Sequence, residues 1–280
     1  MAHPLAATNK ALGTNRQGLN IYQTQLIYNR KDSMKFRNSE FIKIMNDEFI
    51  NAYSEEVLNT LRKISEDKTL SNFDSFNKRM QLNSGMEIDY NHGMSSVTRA
   101  QTQDVYRYML KISDLWFAFE YICVQANIRG NVKMFEKCRS KCDIYPQTTI
   151  ASLQINKPVK AFNVHLQEAF SVNKMFKVEL YRILAYLGNN TNNFLKQEMK
   201  NFKSLLKGNT EFDLEFKNIN YLLYALRNIY VHKGVSASLG TKSMKFKNML
   251  YSMLYEYLLV VCHQIGYRFC LVENNQVKKS

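Results

Sequence analysis

An all-α fold, an antiparallel helical bundle with an additional helical segment at its N-terminal end, is the architecture this sequence predicts. Three observations point to it. The 280 residues include only 10 Gly and 3 Pro, too few turn residues for an all-β sandwich, a barrel or a Gly-rich nucleotide fold. Hydrophobic residues make up 45% of the chain, enough to bury the core of one large or two modest domains. Over most of the length these residues recur every three or four positions, the period of one helix face.

Residues 1–37 are polar, rich in Asn, Gln and Thr, and without a sustained period, so they read as an arm or as irregular structure. From Asn38 and Ser39, two good N-caps, the residues Phe41, Ile42, Met45, Phe49, Ile50, Tyr53, Val57, Leu61 and Ile64 fall on one stripe, which predicts a helix of about six or seven turns. A shorter helix is expected over Leu70–Leu82, and the Gly, Asn and Ser of Asn83–Ser96 mark a loop. That loop sets the expected boundary, with 1–95 as an N-terminal segment and 96–280 as the bundle. Asp104–Asn127 carries the clearest period, with Val105, Met109, Ile112, Trp116, Phe119, Cys123 and Ala126 alternating by fours and threes. Residues 139–161 lose that period, contain Pro146 and Pro158, and read as an irregular insertion. Further helices are expected over Val164–Leu187, stopped by a left-handed cap at Gly188-Asn189-Asn190, and over Asn193–Lys207. Two more run over Ile219–Val231 before Gly234 and over Ser243–Ile265 before Gly266.

The 38 Lys+Arg against 24 Asp+Glu leave a net charge of +14. Such an excess favours polyanionic partners, because clustered cations concentrate phosphates and release their counterions. The N-terminus lacks the apolar core of a secretory signal, and no apolar run approaches ~18 residues, so a soluble cytoplasmic protein with no membrane contact is expected. The cysteines Cys123, Cys138, Cys142, Cys262 and Cys270 form no regular framework, which argues for reduced thiols. They also lack the paired Cys-x2-Cys knuckles of a zinc site, and neither a metal nor a cofactor is expected. Phosphate-cradling glycine loops, His-Glu-x-x-His and Gly-x-Ser-x-Gly are all missing. Catalysis would have to draw on a small set of groups, with His3, His92, His165, His232 and His263 as the only imidazoles.

Leu226-Arg227-Asn228-Ile229-Tyr230-Val231-His232-Lys233-Gly234 closes the helix expected over Ile219–Val231. It sets an arginine and a histidine with four residues between them before a glycine stop. In this context the chain resembles the HEPN superfamily of α-helical bundle proteins, marked by Arg-x4-6-His, commonly Arg-Asn-x3-His, at the end of a late helix. The resemblance spans about residues 100–270, and the short motif carries nearly all of it. Lys111–Ile122 is similar to the first core helix of such domains, where an acidic residue often faces the Arg/His helix. The resemblance implies a metal-independent endoribonuclease assembled as a dimer or tandem pair, of the kind found in toxins, anti-phage abortive systems and RNA-guided immune effectors. Toxins of the HEPN/MNT type continue His-x-Tyr, whereas this chain has Gly234, so tyrosine adenylylation on the motif is not implied. Residues 1–95 carry no resemblance.

On a helix, residues five apart are 140° apart in projection, so Arg227 and His232 flank a face centred near Asn228. One chain presents a spread site, and pairing two such helices about a two-fold axis would bring two of each into one cleft. There Arg227 would hold the nonbridging oxygens of an RNA phosphodiester. His232 would move protons, since an imidazole titrates near neutrality and needs no metal to take a 2′-hydroxyl proton or protonate a leaving 5′-oxygen. The expected ends are a 2′,3′-cyclic phosphate and a 5′-hydroxyl, and DNA should resist for want of the nucleophile. The plain alternative is a helix-capping His232 with Arg227 bound to a carboxylate across the bundle. Asn228 shares a face with His232 and is expected to orient it or to touch phosphate, or else to be a polar surface residue. Glu120 lies beside the apolar seam and is the candidate to aim Arg227, with Asp114 as the fallback, although a rim position suits Glu120 as well. Tyr224 and Tyr230 suit base stacking or, more often at such spacing, the core.

Lys196, Lys200, Lys203 and Lys207 recur on one helix face opposite Leu195, Met199, Phe202 and Leu206. They read either as a stripe tracking an RNA backbone or as an ordinary solvated face. Lys233, Lys242, Lys245 and Lys247 cluster after the motif and are expected to funnel RNA towards it. The partners expected are therefore RNA, a second copy joined through the Arg/His helix, and an antitoxin or regulatory subunit. A noncatalytic RNA-binding or assembly subunit is the rival reading.

Overall fold

The computed structural model describes residues 59, 63, 71–88, 100–126, 156–207, 212–234 and 237–277. Among them are seven helices and no strand: α1 (Ser71–Gly85), α2 (Ala100–Ala126), α3 (Asn156–Val172), α4 (Met175–Asn190), α5 (Asn193–Leu205), α6 (Phe216–Lys233) and α7 (Met244–Val277). The all-α expectation therefore holds. No helix of the described residues is long and apolar enough to cross a membrane. Most of the helix expected from Asn38 to Ile64 lies outside the described residues, as do His3, His92, Cys138 and Cys142.

Several expected boundaries move, each for a local reason. α3 begins at Asn156, inside the expected insertion. Pro158 sits in its first turn, where a missing N–H costs no intrahelical bond. The single helix expected over Val164–Leu187 is two, parted at Asn173. There the Asn173 backbone carbonyl accepts from the Phe176 amide and its side-chain carbonyl from the Met175 amide, the local competition by which asparagine ends one helix and starts the next. Gly188 is not a left-handed cap. It is helical and lets α5 approach, with Met199 Cβ 3.5 Å from where its own Cβ would stand. α4 runs on to Asn190, and Asn192 caps α5 by accepting from the Leu195 amide. At the C-terminal end Gly266 lies within α7, which continues to Val277.

α2 is the central element. Its buried face, including Val105, Ile112, Leu115, Trp116, Phe119 and Ile122, joins one core with residues of the other helices. α1 crosses it in the opposite direction, Phe73 donating its amide to Gln125 and Asn83 its side-chain amide to the Lys111 carbonyl. Because Phe73, Phe76 and Met80 are fully or nearly buried in that same core, the boundary expected at residue 95 does not divide it. α7 lies along α2 in the same direction, with Asn248 reaching Asp104 and the Tyr255 ring 6.0 Å from that of Tyr108 and tilted to it. The two most extended helices are thus parallel neighbours, against the purely antiparallel expectation. Helices α3 to α6 provide the long crossover that a parallel pair needs.

Candidate functional site

α6 is positioned from its start. The segment before it is held by α3: the Asn163 side chain donates to the Leu214 carbonyl and accepts from the Leu214 amide, both at 2.9 Å, and Gln167 donates to the Phe212 carbonyl at 2.7 Å. Asn218 then accepts from the Glu215 amide at 2.8 Å, closing the first turn. Ile219, Leu222, Leu223, Leu226 and Ile229 are buried, so the helix is anchored along its apolar stripe. It ends as expected at Gly234, whose φ of 56° is left-handed and whose amide donates to the Tyr230 carbonyl at 3.2 Å. This cap leaves Val231, His232 and Lys233 exposed on the last turn.

Arg227 is half-buried where α6 meets α2. Its guanidinium carbon stands 4.8 Å from the centroid of the Phe117 ring, in a cation–π contact. One Nη donates to the Asn228 side-chain oxygen at 3.0 Å. Its Nε is buried without a hydrogen-bond partner, and no carboxylate pairs with it among the described residues. The result is a partly desolvated cation with unused donors, an arrangement that attracts an anion.

The expected aiming of Arg227 by Glu120 is not what the structure builds. Glu120 accepts from the Trp116 indole one turn back on α2, at 2.8 Å. Asp114, the fallback, pairs with Arg79 of α1 at 2.5 Å and accepts from Asn83 at 3.2 Å. Asn228 serves Arg227 and makes no bond to His232. A carboxylate four residues from an indole on one helix finds the nearer donor first. Tyr224 packs 5.7 Å from Trp116 and against the core, and Tyr230, whose hydroxyl pKa is raised by burial and by Tyr106, also packs there. Both are partly buried, as the core alternative expects.

Among the described histidines, His232 alone is exposed. Burial pushes the His263 imidazole down to about 4 and lowers that of His165 as well, so both are neutral around pH 7. No group of three His, Cys, Asp or Glu side chains among the described residues could hold a metal ion, and Cys123 and Cys262 are buried thiols.

The lysines divide. Lys196, Lys200 and Lys207 are exposed, opposite the buried Leu195, Met199, Phe202 and Leu206, so the projected face exists. Lys203 on that face is half-buried, with its ammonium 5.3 Å from the centroid of the Tyr181 ring. Lys233, next to His232, and Lys242 and Lys245, beyond the turn that follows the motif, are exposed. Lys247 is not part of that cluster. It is buried, and its ammonium donates to the Ala237 and Leu239 carbonyls, each at 2.6 Å, tying down the turn after the motif. An open pocket of about 430 Å³ between Lys160, Gln167, Phe212 and Asp213 includes none of the motif residues.

Two residues of this constellation escaped the sequence reading. Phe117 stands next to Trp116 in an aromatic run but off the apolar stripe of α2, and an aromatic placed off the stripe was the available signal. Arg79 had none. No family model matches the chain, and neither the curated proteins nor the solved structures provide a match.

Proposed function

We propose that this protein is a metal-independent endoribonuclease of the HEPN type. The observation that carries the reading is Arg227: a partly buried guanidinium with no carboxylate partner among the described residues, one turn and a half before an exposed histidine on a helix that ends in the open. A phosphodiester is an anion of suitable shape for that fork. With the phosphate held by Arg227, His232 takes the proton of the 2′-hydroxyl as it attacks phosphorus, and the leaving 5′-oxygen needs a proton in turn. One imidazole per chain makes a second copy the natural source of the acid, and the exposed Val231 beside His232 offers apolar surface for pairing the two helices. The products are a 2′,3′-cyclic phosphate and a 5′-hydroxyl. Lys233 next to His232, Lys242 and Lys245 beyond the turn that follows, and Lys196, Lys200, Lys203 and Lys207 of the α5 face would guide the strand.

A toxin or anti-phage effector working in the cytoplasm, restrained by an antitoxin or regulatory subunit, fits an unspecific cutter of this kind. The rival reading, a noncatalytic RNA-binding or assembly subunit, is favoured by one observation: Asn228 bonds Arg227 and does not orient His232, and Glu120 bonds Trp116 and does not aim Arg227. Purified protein incubated with single-stranded RNA in EDTA separates the two. Cutting that leaves 5′-hydroxyl ends, spares DNA and vanishes in both Arg227→Ala and His232→Ala supports the nuclease. Cutting retained in both variants would remove the site, and binding without cutting by the wild type would favour the rival.

A further inference from the structure

We infer that Arg79, on α1, is a second phosphate grip of the Arg227 site. This rests on the reading of that site as an RNA phosphate clamp. The Phe117 ring carries two guanidinium groups, Arg227 at 4.8 Å and Arg79 at 5.1 Å from its centroid. Together the two distances leave at most about 10 Å between the guanidinium carbons. An aromatic face attracts one cation, but two cations sharing one ring repel each other through a medium of lowered dielectric. Asp114 is the single carboxylate paired with either of them among the described residues, and it takes only one Nη of Arg79, its other oxygen accepting from Asn83. That leaves the rest of the Arg79 fork unbonded among the described residues, on a side chain 38% exposed.

Asp114 and Phe117 therefore hold the 38% exposed side chain of Arg79 near Arg227, which has no carboxylate partner among the described residues. Two guanidinium groups no more than about 10 Å apart can each take the nonbridging oxygens of a different phosphate of one strand. Arg79 touches no reacting bond in this arrangement. It sets the register of the strand, so that the phosphate beside the scissile one is gripped by α1 while the scissile one lies on Arg227. α1, which lies in the expected N-terminal segment 1–95, thereby takes part in substrate binding.

The test uses the full chain and a 2′-O-methyl RNA oligonucleotide, which cannot be cut by 2′-hydroxyl attack, with the dissociation constant measured across a salt series. Arg79→Gln is expected to weaken binding about tenfold and to flatten the slope of log affinity against log salt by about 0.7, the share of one phosphate contact on a single strand. Arg79→Lys keeps the charge and the Asp114 bridge, so the slope stays near wild type while part of the affinity is lost. Asp114→Asn breaks the ion pair without removing the cation and is expected to tighten binding. On cleavable RNA, Arg79→Gln raises KM about tenfold with kcat within about twofold. An unchanged slope in Arg79→Gln, or an Asp114→Asn loss as large as that of Arg79→Gln, overturns the inference and leaves the nuclease reading standing. Binding of the oligonucleotide without any cutting of cleavable RNA sinks the nuclease reading, and the slope still decides on Arg79. Absence of binding by the wild type sinks both.

Discussion

Arg227 rests its guanidinium on the face of Phe117, 4.8 Å from the ring centroid, so the motif arginine is held by an aromatic ring and an amide oxygen instead of a carboxylate. A cation placed in this way contributes little to folding. It loses hydration, gains a modest cation–π attraction and leaves its Nε unbonded.

It follows that Arg227→Met should be close to neutral in stability, within about 1 kcal/mol, because it swaps an uncompensated charge for an apolar chain of similar length. The same change should cut RNA cleavage at least about 100-fold, the usual loss when a donor to a developing oxyanion is removed. Urea unfolding and an RNA cleavage assay on one preparation check both halves. A large loss of stability would mean that Arg227 is structural.

The two left-handed glycines around the turn after the motif should differ in tolerance. At Gly234, φ is 56° and an added Cβ meets nothing within 4 Å, so Gly234→Ala should cost only the backbone strain, about 1–2 kcal/mol. At Gly240, φ is 79° and the Cβ would stand 2.9 Å from Tyr186 Cγ. Gly240→Ala is expected to cost more than Gly234→Ala, on the order of 3 kcal/mol or above, with steric overlap added to the strain. Thermal melts of the pair give the ordering.

Lys247 makes stability depend on pH in an unusual direction. Burial pushes its ammonium down to about 8 from the ordinary 10.5. Below about pH 8 it is protonated in both the folded and unfolded chain, and its contribution is flat. Between about 8 and 10.5 the unfolded chain keeps a proton that the folded one has released, so stability rises with pH, by up to about 3 kcal/mol over the whole window. Burial raises the Tyr251 hydroxyl, so above its ordinary 10.0 the unfolded chain loses a phenolic proton that the folded one retains, and stability falls again. Chemical denaturation from pH 8 to about 9.5 should show the rise, and Lys247→Met should abolish it.

Glu179 acts at the acid end. Burial alone would push its carboxyl up, but the Lys242 amide, the Thr241 hydroxyl and Arg182 outweigh it and hold the pKa below the usual 4.5. The contribution is therefore present above pH 4.5 and is lost as pH falls through the folded value. Because this one side chain ties α4 to the start of α7, Glu179→Ala should cost about 2–4 kcal/mol at pH 7. The gap from wild type should shrink in acid unfolding measured below the folded pKa.

Features encoded within single elements were legible in the residues alone. The helical period located α2, α5 and α6, the apolar stripe separated the exposed lysines of α5 from its buried face, and Gly234 marked the end of the motif helix. Each of these is a local property, readable because neighbours three and four residues apart share one face whatever the rest of the chain does. Partner choice is different, since it depends on which faces meet across long separations. The break at Asn173 between two helices and the parallel course of α7 along α2 became visible in the folded chain. Packing also gave Glu120 to Trp116, buried Lys247 beneath the turn it holds, and brought Arg79 and Arg227 to a single ring. Those pairings follow from competition among many donors and acceptors for the same partners, and no spacing along the chain records who wins.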